Sequence, residues 1–178
     1  MDPVVDVTLR AALALLFAAA ATHKLFDRAR FRAALTAYEL TPAAFVGPMT
    51  IGLVVVELGL VAALLAPGLR QEALAASATL LALYAGAIAI NLGRGRRALD
   101  CGCLGIGGRE ALSWWLVARN VVLALLAAAA LRPLADRALV WIDAITITGA
   151  VALTAFAWLA ADGLLANRAG VARIRGVA

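Results

Sequence analysis

Polar and charged chemistry is what this chain lacks. Only 15% of its 178 residues are charged and 6% aromatic, whereas 65% are hydrophobic and mean hydropathy is +0.95. A soluble domain of this size needs far more polar surface, so that class is excluded. Two cysteines are too few for a disulfide framework. One histidine leaves no His-Glu zinc motif, and the chain also has no phosphate loop, nucleophile elbow or haem attachment motif. No Ser/Pro-rich linker or internal repeat divides it, so it reads as a single integral membrane domain over 1–178. The net charge of +5 comes from basic residues between apolar runs. That distribution follows from bilayer insertion and requires no nucleic-acid partner.

What is present predicts an all-α, polytopic membrane bundle. Five apolar stretches, 7–22, 45–66, 72–92, 113–131 and 140–166, approach the roughly 20 residues a helix needs to cross the hydrocarbon core. Pro42 and Pro48 flank the start of the second, Pro67-Gly68 ends it, Gly93 and Gly95 end the third, and Pro133 follows the fourth. Ser113 suits the N-cap of the fourth. Trp114, Trp115 and Trp141 fall at interfacial depth. The region before the small residues Ala18–Ala21 carries Asp2, Asp6 and Arg10 rather than a basic cluster, so the first stretch reads as a retained span and not a cleaved signal. Gly52, Gly59 and Gly86 read as sites of close helix packing.

Between the first two spans, Phe31, Leu35 and Tyr38 recur at helical spacing with Arg30 and Arg32 beside them, an amphipathic helix lying in the interface. Eleven Lys and Arg residues fall on the face of the first and third loops and the C-terminal tail, against four on the other. The positive-inside rule then puts the N-terminus outside and the third loop in the cytoplasm of an inner, plasma-membrane protein.

That third loop holds the most informative motif, Asp100-Cys101-Gly102-Cys103. Two thiols one residue apart close a small, strained ring when oxidised, and strained accessible disulfides exchange with partner thiols. Gly102 gives the backbone freedom for the turn. Arg94, Arg96, Arg97 and Arg109 favour a thiolate, and Asp100 offers a proton acceptor. Buried inert thiols fit a span better than a glycine-rich loop. A thiophilic metal held by Cys101, Cys103 and His23 is a second reading, short of the four ligands of a structural zinc site. A third is a non-catalytic assembly factor that docks a partner on the Phe31–Tyr38 stripe.

Ionisable groups inside spans are costly and mark pairs or sites. Glu57 lies roughly 18 Å into the second span and Arg119 roughly 9 Å into the fourth from the same face, which predicts a Glu57–Arg119 pair. With Asn120, Asn91 and Tyr84 it forms either a register lock or a polar pocket beneath the cysteines for a thiolate or a quinone carbonyl.

These residues carry a resemblance. Lys24, the run Phe31, Leu35, Tyr38, Leu40 and Pro42, Glu57 with Gly59, Gly95, the Cys-Gly-Cys motif, and Ser113 followed by Arg119-Asn120 resemble the MauE methylamine-utilisation family. That family is itself similar to DoxX-like four-helix membrane proteins. Leu104 stands where the family usually has Phe. The resemblance implies a four-helix core with a fifth helix added, and a role beside a thioredoxin-like partner in maturing the disulfide-rich small subunit of methylamine dehydrogenase. The layout is also similar, by analogy only, to quinone-coupled thiol oxidases of the vitamin K epoxide reductase and DsbB families. Disulfide formation belongs outside the cytoplasm, whereas the charge count puts the pair inside. An inward-facing pair would take electrons from a cytoplasmic thiol.

Overall fold

Helix breakers divide the chain where the sequence places them. The computed structural model describes residues 1–99 and 111–174, with 161–174 as backbone only. Six helices result: α1 Pro3–Phe26, α2 Arg28–Tyr38, α3 Ala43–Leu65, α4 Arg70–Gly93, α5 Trp114–Ala129 and α6 Trp141–Ile174. Asp2 caps α1 by accepting the Val4 N–H at 2.8 Å, with Pro3 in the first turn. After α4, Gly95 adopts a left-handed φ of 76° and its N–H bonds the Leu92 carbonyl at 3.0 Å, closing the helix end. Pro42 and Pro48 flank the start of α3 as expected, at its N-cap and inside its first turns. One detail differs from expectation: Ser113 holds the N-cap position without a side-chain cap bond.

Leu13 and Phe17 of α1, Leu60 and Leu64 of α3, Leu74 and Leu81 of α4 and Ala127 of α5 build one core, so four helices form the bundle. Helix α6 packs on α1 from outside, and only 6% of its apolar stretch is buried. Helices α1, α3, α4 and the Trp141–Ala160 part of α6 are each long and apolar enough to cross a bilayer. Helix α5, at 16 residues, spans roughly 24 Å, yet it traverses the bundle. Leu116 packs with Tyr38 and Leu92 at one end, and the Ala130 carbonyl is bonded by Arg70 at the other. Side chains such as Phe45, Ile51, Val55, Leu153 and Phe156 are exposed outward, as a lipid-facing surface requires. Trp114, Trp115 and Trp141 are exposed at helix ends, suiting an interfacial belt. A Cβ added at Gly52, Gly59 or Gly86 would meet nothing within 4 Å. These glycines therefore do not mark close packing; each faces open space.

One end of the bundle is locked by Asp6. Its carboxylate, buried at 1% exposure, accepts from Arg10 Nε at 3.0 Å and Arg70 Nε at 2.8 Å. Arg10 also bonds the Leu64 carbonyl at 2.9 Å, and Arg70 the carbonyls of Ala130 and Arg132. Two guanidinium groups thus satisfy the orphan carbonyls ending α3 and α5, where cations also suit the helix dipole. Asp6→Ala is expected to cost roughly 3 kcal/mol, the low end for breaking a buried pair because both arginines keep some solvent contact. The midpoint of SDS-induced unfolding in mixed micelles measures it, and an unshifted midpoint would show that the clasp contributes nothing.

Candidate functional site

At the opposite end, α2 lies across the bundle with Phe31 and Tyr38 buried and Leu35 half-buried, the stripe expected from the sequence. Glu39, in a left-handed turn with φ 51°, ends α2. Arg96, just past α4, donates to the Ala37 carbonyl at 3.3 Å and pairs with the Glu39 carboxylate. The hydrogen bond from Arg96 holds the Glu39 carboxyl below the ordinary glutamate range. Leu112 N–H bonds the Leu99 carbonyl at 3.0 Å. Leu99 and Leu112 share a cluster with Tyr38, Ile88, Leu92 and Leu116. The two flanks of the third loop therefore meet at one point beneath α2. Asp100, Cys101, Cys103 and Arg109 lie outside the described residues.

Beneath α2 the structure places a polar group the sequence reading did not assemble. The Lys24 ammonium forms an ion pair with Glu57 Oε1, with side-chain exposures of 1% and 0%. Tyr84 Oη donates to the same oxygen at 2.7 Å. Lys24 Nζ lies 5.2 Å from the ring centroids of both Phe31 and Tyr84, within cation–π range. The geometry follows from direction. Helices α1 and α3 run antiparallel and helical side chains lean toward their own N-termini. Lys24, near the end of α1, therefore leans inward, and Glu57, deep in α3, leans outward to meet it.

The expected Glu57–Arg119 pair is thereby replaced. Helix α5 packs against α4 through Leu116, Asn120 and Ala127, and Arg119 sits to the side of that face. Its guanidinium stacks on the Trp158 ring of α6 at 4.5 Å. Asn91 and Asn120 are buried in the loop-proximal parts of α4 and α5, each donating to the carbonyl one turn back, at 3.1 and 2.8 Å. Asn91 Oδ1 is buried without a hydrogen-bond partner among the described residues. His23 is half-buried beside Lys24. Among the described residues no three His, Cys, Asp or Glu side chains gather as a metal site.

Lys24 was missed as the partner of Glu57 because it ends an apolar run next to a basic connector and reads as a loop charge. The available signal was composition: it is the chain's single lysine among fifteen arginines. Lys is the residue that can be threaded into a narrow interior as a compact charge. Removing it from the loop count leaves ten basic residues against four, so the charge asymmetry survives.

Residues 2–133 match the family described as Methylamine utilisation protein MauE. The chain belongs to the MauE family. Its relatives include the methylamine utilization protein MauE of Methylorubrum extorquens, 40% identical over 71% of this chain and 68% of that protein. That of Paracoccus denitrificans is 40% identical over 72% and 69%. That of Paracoccus versutus is 37% identical over 75% and 73%. No solved structure matches the chain. The MauE match covers α1 to α5, with Lys24, Glu57, Tyr84 and both cysteines inside it, and stops before α6. The four-helix core thus lies within the match, and α6 lies beyond it.

Proposed function

We propose that this MauE protein is a membrane thiol–disulfide redox protein in which Cys101 and Cys103 cycle between dithiol and disulfide. It would exchange with a thioredoxin-like partner in forming or maturing disulfides of an exported protein used in methylamine utilisation. The observation that supports this reading is where the chain's only two thiols fall in the sequence. They fall in a segment whose flanks, Leu99 and Leu112, are hydrogen-bonded together at the basic end of the bundle, under a helix tied down by Arg96. A thiol pair in a segment between spans has partners to meet that a pair within a span would lack.

Chemically, one cysteine thiolate attacks a sulfur of the partner's disulfide, and a mixed disulfide forms as the partner's second sulfur leaves as thiolate. The other cysteine then attacks its neighbour's sulfur, closing the Cys101–Cys103 disulfide and releasing the partner as a dithiol; the reverse sequence oxidises the partner. Asp100 accepts the departing thiol proton. The arginines after α4 favour the thiolate. Asn91 Oδ1, buried with no bond of its own among the described residues, supplies a hydrogen-bond acceptor near the end of α4 that precedes the cysteine segment, with Asn120 on the facing helix. Arg119 is a positioning residue for α6 through Trp158.

A membrane-impermeant maleimide applied to intact cells tests both chemistry and orientation. The reading expects labelling of Cys101 and Cys103 to depend on prior reduction. Reduction-dependent labelling from outside would assign disulfide formation on the outer face and reverse the orientation inferred from charge. Reduction-dependent labelling only after permeabilisation would assign electron transfer from cytoplasmic thiols. Equal labelling with and without reduction, under every growth condition, would refute a cycling pair.

A further inference from the structure

Two members of the Lys24–Glu57–Tyr84 group, Lys24 and Tyr84, line a cavity. Between α2, α3 and α4 lies a space of about 420 Å³, with Lys24 and Tyr84 at its polar end and Phe31 and Tyr38 among its walls. That volume lies in the range of roughly 300–1,000 Å³ typical of small-molecule sites. Its opening is sideways. Leu83, Ile90 and Met49 line it and are also exposed on the outer faces of α4 and α3, so its mouth lies toward lipid and not toward water.

We propose that this cavity binds a neutral, bilayer-soluble ring compound bearing a carbonyl oxygen, the chemistry of a quinone, with that oxygen accepting a hydrogen bond from Lys24. Three observations select this class. Lys24 carries three N–H donors, only one of which is needed for Glu57 Oε1, and Lys24 is among the residues that line the cavity. Its charge is already balanced by Glu57, buried beside it, so an anionic head group would meet an ion pair with no net charge and a carboxylate close by. A neutral acceptor gains the hydrogen bond without that repulsion. Phe31, Tyr38 and Tyr84 give aromatic faces for a planar ring.

The site also adjoins the flanks of the cysteine segment. Tyr38 and Ile88 line the cavity and belong to the cluster that holds Leu99 and Leu112. Resting on the redox reading above, the ligand would be the terminal electron acceptor. Closing the dithiol to a disulfide releases two electrons and two protons, and reducing a quinone to its quinol consumes the same number.

The test uses the full chain in phosphatidylcholine nanodiscs and a radiolabelled benzoquinone with a decyl side chain. Saturable binding with one ligand per chain is expected, above the uptake of empty nanodiscs. Gly86 lines the cavity and a Cβ there meets nothing within 4 Å, so Gly86→Leu fills it without disturbing the fold. This variant is expected to weaken binding by about tenfold or more at an unchanged unfolding midpoint. The double variant Lys24→Met/Glu57→Leu, which removes donor and acceptor together, should weaken it similarly. Uptake no greater than in empty nanodiscs, binding indifferent to Gly86→Leu, or equal competition by palmitate would overturn the proposal. Binding is scored apart from thiol exchange. Saturable quinone binding with inert cysteines would keep the cavity and remove the redox reading, whereas thiol exchange without quinone binding would remove the cavity alone.

Discussion

Lys24→Met destabilises the bundle by about 3 to 5 kcal/mol, the cost of leaving one member of a buried ion pair uncompensated. The stranded group is Glu57, at 0% exposure. Its remaining bond comes from the Tyr84 hydroxyl, which cannot neutralise a carboxylate. Glu57→Leu strands Lys24 between the Phe31 and Tyr84 rings and costs a similar amount. The double variant Lys24→Met/Glu57→Leu recovers most of the loss, because an apolar pair of similar volume removes both desolvation penalties at once. The double-mutant cycle therefore shows a large coupling energy, well beyond the few tenths of a kcal/mol expected of distant sites. Unfolding midpoints in mixed micelles measure all four proteins. Additive single effects would show that the pair does not act as a unit.

This pair also shows where the sequence was legible. Helix number, order and ends follow from apolar run length and from Pro and Gly, because in a bilayer each backbone bond must be made within its own helix. That local rule can be read residue by residue, and it anticipated α2 and the closure at Gly95, whereas the added position of the last helix was implied by the family resemblance. Side-chain partnership is set by which helix faces which. Glu57 and Arg119 both stood out as costly groups in spans, but sequence depth alone paired them. Rotation of α5 about its axis turned Arg119 toward Trp158, and the antiparallel α1–α3 contact brought Lys24 in instead. Asp6 was similarly visible only as a charge near the N-terminus. Its role depends on Arg70, sixty-four residues away, reaching it across the bundle. The glycines misled for a related reason. Small residues permit close approach, yet Gly86 opens a cavity and Gly52 and Gly59 meet no neighbour.

Replacing Cys101 or Cys103 by Ser lowers thiol–disulfide exchange by roughly a hundredfold or more, since each removes a sulfur that the two-step cycle requires. The two single variants differ in kind. Loss of the attacking cysteine leaves the partner unreacted. Loss of the resolving cysteine stops the cycle at the mixed disulfide, which accumulates as a covalent adduct visible on a non-reducing gel and released by dithiothreitol. The adduct thus assigns the nucleophile. Both variants should insert and fold like the parent, because the frame of the loop is built without thiols, from the Leu99–Leu112 bond, the packing of both leucines near Tyr38, and the Arg96–Glu39 tether. Unfolding midpoints therefore stay within a few tenths of a kcal/mol of the parent, as for changes that touch neither the core nor a buried polar network. That separation makes the result interpretable: a fall in exchange at constant stability can only come from the chemistry of the sulfurs. Full exchange by the double Ser variant would refute the redox reading and leave the docking surface of α2 as the part of the site that carries function.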